Sequence, residues 1–133
     1  MAQYVMQHIV DERGLSRQFE IDSAATSREE IGAGVHRGTR KKLAEKNIAC
    51  GDHRARQMTR ADYDHYDLII GMDSENMWGM KRIAGGDPED KLHLLLDWSS
   101  HPRGIADPWY TGDFDTTFDD VWEGCTTLLN SLS

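Results

Sequence analysis

The chain has 133 residues, with 15 Lys and Arg against 23 Asp and Glu for a formal net charge of −8. That length suits one domain with one core, and the acidic balance excludes a general nucleic-acid surface, which needs a dominant basic face to neutralise phosphates. Two cysteines, Cys50 and Cys125, cannot make a disulfide framework or a zinc site, and the six histidines show no paired ligand spacing. No apolar run approaches the ~20 residues of a membrane span, and the N-terminus lacks the basic-then-apolar order of a signal peptide. The expectation is a soluble cytoplasmic protein with no metal, no cofactor and no membrane contact. Basic residues cluster only from Arg37 to Lys46 and from Arg54 to Arg60, which leaves room for a local anion site.

Ala2, Val5, Met6, Ile9 and Val10 recur at helical spacing, so residues 1 to about 12 form an amphipathic helix stopped by Gly14. This helix starts at the first residue with no leading cap, which reads as though something ahead of it had been removed. Phe19 and Ile21 alternate with Glu20 and Asp22 as a short strand running into Ser23-Ala24-Ala25-Thr26-Ser27, whose small residues permit close approach by another loop. Glu29 to Gly34 is a connector. A helix from roughly Val35 to Lys46 follows, with Leu43 and then Ile48 inward and a solvated face of Arg40, Lys41, Lys42, Glu45 and Lys46.

Cys50-Gly51-Asp52-His53-Arg54-Ala55-Arg56 spells Cys-x5-Arg, the signature of cysteine-dependent phosphatases. The pattern is read here as a decoy. A phosphate cradle needs a buried strand, a loop of inward amides and then a helix N-terminus. A helix end precedes Cys50, and Asp52 inside the loop would repel an anion. Thr59 with Asp62 three residues on caps a short helix. Leu68-Ile69-Ile70-Gly71-Met72 is an apolar run typical of a strand buried on both faces, and Asp73 then caps a helix from Ser74 to about Ala84 that ends at Gly85-Gly86. Met72, Met77, Trp78 and Met80 are expected in the core and packing surface. Leu92-His93-Leu94-Leu95-Leu96 is the third strand candidate, with His93 a structural histidine.

Ala106-Asp107-Pro108-Trp109-Tyr110-Thr111-Gly112-Asp113-Phe114 is expected to be a stiffened loop: Pro108 biases Asp107 toward extended backbone and cannot donate an N–H. Asp107 has the setting of a catalytic carboxylate, with Trp109 and Tyr110 as flat walls for an aryl group; the plainer alternative is a surface turn with a helix N-cap behind it. Phe114, Phe118, Val121, Trp122, Cys125, Leu128 and Leu129 then fall at intervals of three and four, the clearest amphipathic helix of the chain. Helices alternating with apolar strands imply an α/β fold, a three-layer arrangement of a parallel sheet with helices on both faces. Ligands in such sheets sit at the carboxyl ends of the strands, where Ser23, the loop around His53, and Asp107 would converge.

Four stretches, Asp22 to Ser27, His53 with Ala55-Arg56-Gln57, Met72-Asp73, and Asp107 to Tyr110, fall in the order and approximate spacing of one family. On them the chain resembles a low-molecular-weight protein tyrosine phosphatase from its first helix to its C-terminus, a single domain over residues 1–133. The resemblance implies that Asp107 is the general acid for a phenolate leaving group, that Trp109 and Tyr110 flank the substrate, and that Ser23 and His53 brace the phosphate loop. It implies a phosphotyrosyl protein or aryl phosphate as substrate. It also implies a first, central strand and a Cys-x5-Arg-Ser loop ahead of the first helix, and neither is among these residues, so no nucleophile is assigned. An N-terminally truncated, inactive chain that self-associates through exposed strand edges is therefore expected. Where the family often places an aromatic wall, this chain has Arg28 and Glu29. The alternatives are a non-catalytic binding or self-assembly module on the same fold and, more weakly, an arsenate reductase of related fold, whose cysteine relay Cys50 and Cys125 do not match.

Overall fold

Two helices from opposite ends of the chain make the main core. Helix α1 (Ala2–Glu12) buries Val5, Ile9 and Val10, and α6 (Phe114–Leu132) buries Phe118, Val121, Cys125, Leu128 and Leu129, at the spacing the sequence predicts. Leu43 from α2 (Arg37–Glu45), Ile48 beyond it, and Leu95, Leu96 and Ile105 complete one cluster. Full burial of a leucine or valine stabilises by about 1.5–3 kcal/mol, and Val5, Val10, Leu43, Leu96 and Leu129 have no measurable exposure. The computed structural model describes residues 1–27, 32 and 34–132; the side chains of Trp109 and Tyr110, and the contrast at Arg28 and Glu29, lie outside what is described.

The second cluster surrounds a β-α-β unit. Strand β1 (Ile69–Gly71) pairs in parallel with β2 (Leu92–Leu94), in the register Ile69 to Leu92, Ile70 to His93 and Gly71 to Leu94. Helix α4 (Ser74–Ala84) connects them, with Met80 and Ala84 packed beside Met58, Tyr63 and Leu92. The expected caps are in place. Asp73 accepts from the Asn76 N–H at 2.8 Å, and Gly85 closes α4 in the left-handed region at φ 76°. Thr59 and Asp62 form a reciprocal capping box on α3 (Arg60–His65).

Four expectations need correction. Among the described residues the sheet has two strands, with one further parallel bridge between Ala25 and Gln57. The stretch around Phe19 is extended, at φ −131° and ψ 133°, but pairs with no strand among the described residues; Phe19 and Ile21 instead lean on the α1–α6 core. The run Leu92 to Leu96 leaves the sheet after Leu94, because the Asp97 carboxylate accepts from the Leu94 N–H at 2.9 Å and folds Leu95–Trp98 into a 3₁₀ turn. That turn drives Leu95 against α6 at Gly124, where a Cβ would lie 2.5 Å from Leu95 Cγ. Trp78 is also not packed: it is 68 % exposed, with the Arg82 guanidinium over its ring at 5.3 Å.

Candidate active site

The Ser23 region reaches its place through two close approaches. Gly79 on α4 admits the segment Ala24 to Thr26, since a Cβ there would stand 2.7 Å from Thr26 Cβ. The backbone of Ala25 then bonds residues on either side of Gln57: its N–H donates to the Arg56 carbonyl at 2.7 Å and its carbonyl accepts from the Met58 N–H at 2.8 Å. This pairing sets Ser23 and His53 on one cleft of about 280 Å³, whose other walls include Met1, Gln3, Tyr4 and His36. Their polar atoms are engaged. Ser23 Oγ donates to Gln3 Oε1 at 2.6 Å, and the His53 N–H donates to the Tyr4 hydroxyl at 3.1 Å.

A charged clasp lies behind this wall. Asp22 Oδ1 accepts from the Ser23 N–H at 2.8 Å and stands 3.6 Å from His53 Nδ1, while Asp22 Oδ2 accepts from Arg56 Nη2 at 3.1 Å. Arg56 also grips both oxygens of Asp62, at 2.9 and 3.1 Å. Bidentate pairing of this kind is strong and directional. The hydrogen bond from Arg56 holds the Asp62 carboxyl below the usual carboxylate range, against a partial opposing effect of burial. The same bond, with a smaller contribution from Asp22, raises the Arg56 guanidinium still further above neutrality.

The two cysteines have different surroundings. Cys50 is half-buried; its Sγ lies 3.8 Å from Arg40 Nη1, the Arg40 guanidinium reaches Asp52 at 3.4 Å, and irregular backbone runs from Gly51 to Arg56. Cys125 is 1 % exposed, and burial pushes its thiol up to about 12. The Met1 amino group, which lines the cleft, is likewise pushed down by burial, an effect that nearby Cys50 and Cys125 oppose.

Asp107 is exposed and does not line the cleft. Pro108 does not keep its neighbourhood a loop: it opens a helical turn, α5 (Pro108–Thr111), because its fixed φ suits a first helical position. The Asp107 carbonyl accepts from the Thr111 N–H at 3.3 Å, and Gly112 leaves the turn at φ 72°. Two tethers fix the stretch ahead of the acid: the Ile105 N–H donates to the Met72 carbonyl at 2.7 Å beyond the end of β1, and Thr117 Oγ1 donates to the Ala106 carbonyl at 3.1 Å. Behind it Asp113 caps α6, accepting from the Thr116 N–H at 3.0 Å and hydroxyl at 2.7 Å, which hold its carboxyl low.

The acid-bearing segment and the cleft are joined through two rings. The Phe114 ring stacks on His36 at 5.4 Å and 11°, and His36 lines the cleft while its Nδ1 accepts from the Gly38 N–H to cap α2. Gly38 is what admits Phe114, since a Cβ there would meet the ring at 2.3 Å. Lys42, bonded to Glu45 and Asp115, adds an ionic link between α2 and α6. Of the residues singled out from the sequence, Ser23 and His53 line the cleft and Asp107 does not, while Tyr4, Gln3, His36 and the Asp22–Arg56–Asp62 clasp went unassigned. The signal for the clasp was present in Asp62, already recognised as a helix cap.

Among the described residues, no group of three His, Cys, Asp or Glu could hold a metal ion, and no helix is long and apolar enough to cross a membrane. Comparison with known proteins supplies the rest. Residues 1–133 match the family described as low molecular weight phosphotyrosine protein phosphatase. The chain is 32 % identical over 134 residues to the low molecular weight protein-tyrosine-phosphatase YfkJ of Bacillus subtilis, covering 99 % of this chain and 86 % of that protein. It is similarly 32 % identical to the low molecular weight phosphotyrosine protein phosphatase of Gallus gallus, over 99 % of this chain and 84 % of the relative. The crystal structure of the Bacillus protein superposes with a TM-score of 0.93 over 98 % of this chain and 84 % of that one. That of the Streptococcus pyogenes low molecular weight protein tyrosine phosphatase SP-PTP, 34 % identical, gives 0.87 over 99 % and 83 %. With its whole length matched by the family and its fold shared with solved members, the chain belongs to the low molecular weight phosphotyrosine protein phosphatases.

Proposed function

We propose that these 133 residues are the scaffold and proton donor of a phosphotyrosine phosphatase, and that by themselves they do not turn over. The observation that carries this reading is the commitment of Arg56. In the one Cys-x5-Arg pattern of the chain the guanidinium is gripped by Asp62 and Asp22 and so is not offered to a phosphate beside Cys50. Thiolate attack on the phosphorus, expulsion of the phenolate and hydrolysis of the phosphocysteine need a nucleophile and a nest of amides with an arginine for the transferring phosphoryl charge. Asp107 would protonate the leaving oxygen and later activate water, with Trp109 and Tyr110 flanking the aryl ring; Ser23 and His53 are braces for a loop that is not among these residues. A general acid contributes about 10²- to 10⁴-fold, against the up to ~10²¹-fold that phosphate-monoester hydrolysis can demand.

The same reading gives β1 a further neighbour, a central strand that would make the sheet three-layered with helices on both faces; the match to longer relatives and the unpaired backbone around Phe19 support it. Without that neighbour the chain is expected to self-associate, since unpaired strand edges recruit other copies. Light scattering at several concentrations tests this, and a strictly monomeric, cooperatively folded protein would count against it. The open cleft favours a second reading, a non-catalytic module that binds a partner there. Turnover of an aryl phosphate, compared between the protein and Cys50→Ser, tests the main reading. Neither should exceed the uncatalysed rate, and family-like turnover abolished by Cys50→Ser would overturn it.

A further inference from the structure

A second cavity, of about 310 Å³, opens on the α1–α6 side of the molecule and shares no lining residue with the Ser23–His53 cleft. His8 from α1, Lys46 and Ile48 from just beyond α2, and Phe118, Asp119 and Trp122 from α6 line it. Ile48 and Phe118 are buried, whereas Trp122, one helical turn past Phe118, is 41 % exposed. The Phe118 and Trp122 rings stack at 6.0 Å and 27°, and the His8 ring meets Trp122 at 6.3 Å and 48°. Three segments of the chain thus leave an aromatic wall open to solvent, around a space at the lower end of the ~300–1,000 Å³ usual for small-molecule sites.

Two opposite charges line this cavity without meeting. The Lys46 ammonium lies over the Phe118 ring, 5.2 Å from its centroid, and Asp119 follows Phe118 along α6. Neither makes an ion pair among the described residues, although Lys42, one turn earlier on α2, is bonded to Glu45 and Asp115. We propose that the cavity is a binding site for a small aromatic zwitterion, a flat ring bearing a neighbouring carboxylate and ammonium as in an aromatic amino acid. The ring would lie on the open face of Trp122, with the carboxylate toward Lys46 and the ammonium toward Asp119. A plain aryl anion would satisfy Lys46 but face Asp119 as a like charge, and an aryl cation would do the reverse; the zwitterion complements both. The proposal stands apart from the phosphatase reading, in which none of these six residues has a role.

Titration of the ¹⁵N-labelled protein with L-phenylalanine, followed at the Trp122 indole N–H and the His8 and Asp119 amides, tests it. Saturable shifts are expected with a dissociation constant on the order of 1 mM, the scale for so few heavy atoms in an open site. Phenylpropionate, which lacks the ammonium, and phenethylamine, which lacks the carboxylate, should each bind about two- to fivefold more weakly, the range for one solvent-exposed charge contact. Lys46→Gln should weaken phenylalanine by a similar factor without weakening phenethylamine, and Asp119→Asn should weaken phenylalanine without weakening phenylpropionate. Trp122→Ala should abolish the shifts at His8 and Asp119 for all three compounds. Lys46 and Asp119 are exposed, so their variants keep the test decisive if Trp122→Ala does not fold. No saturable shift up to the solubility limit of phenylalanine, equal binding of the three compounds, or a Lys46→Gln variant that weakens phenethylamine as much as phenylalanine would each overturn the proposal.

Discussion

The α1–α6 side of the molecule and the cleft side are built on different physical terms. On the first side, two helices present apolar stripes at regular spacing, and Leu95 and Leu96 fill the space between them with essentially no exposure. On the second, one backbone bridge at Ala25 and Gln57 and a set of side-chain clasps, Asp22–Arg56–Asp62 and Ser23–Gln3, hold segments that have no regular structure of their own. The contrast teaches where stability and function reside: hydrophobic burial closes one half without help, while the other is held open, by charge, around a space.

The comparison can be broken most severely from the buried side. Leu129→Ala removes a side chain with no exposure and should cost about 2–5 kcal/mol, the range for such cavities; urea unfolding measures it, and a loss below 1 kcal/mol would mean that this half is not the stable one. At the seam, Gly38→Ala places a Cβ 2.3 Å from the Phe114 ring. It should cost about 1–3 kcal/mol by overpacking and, because Phe114 follows the acid-bearing turn, should speed hydrogen exchange between residues 107 and 113. Unaltered exchange there would disconnect the acid from the cleft.

The clasp gives a smaller, pH-dependent effect. Because Arg56 depresses the Asp62 carboxyl in the fold, the stability it contributes is fully present above the unfolded carboxylate value near ~4. It is lost as pH falls through the lower folded value. Asp62→Asn should therefore be less stable than the parent at neutral pH and converge with it in acid, read from urea midpoints between about pH 6 and pH 2.5. A constant difference across that range would refute the pairing. At the least sensitive end, Trp78→Ala, on a ring 68 % exposed, should change stability by no more than about 0.5 kcal/mol.

What was legible in the sequence followed the same division. The stripes of α1 and α6, the caps Asp73 and Thr59–Asp62 and the burial of Cys125 could be read because they are local: periodicity and capping need only neighbours along the chain. The strand expected at Phe19 failed because a strand is a property of two segments and none of the described residues pairs with it. The end of β2 failed because a single carboxylate, Asp97, outcompeted an apolar run. At the site, Ser23 and His53 came together as expected, whereas Asp107 stands just ahead of a short helix, outside the cleft lining. Pro108 was read as a stiffener of a loop when its geometry equally suits the start of a helix.

The central proposal is that this chain carries the proton donor and scaffold but not the attacking sulfur and its anion nest. It is tested most directly by joining a strand and a Cys-x5-Arg-Ser loop ahead of Met1 and measuring aryl-phosphate turnover. Turnover should appear in the extended chain, fall about 10²- to 10⁴-fold in its Asp107→Asn variant, and be indifferent to Cys50→Ser. A folded extended chain that stays inactive, or activity that vanishes with Cys50 instead, would contradict it.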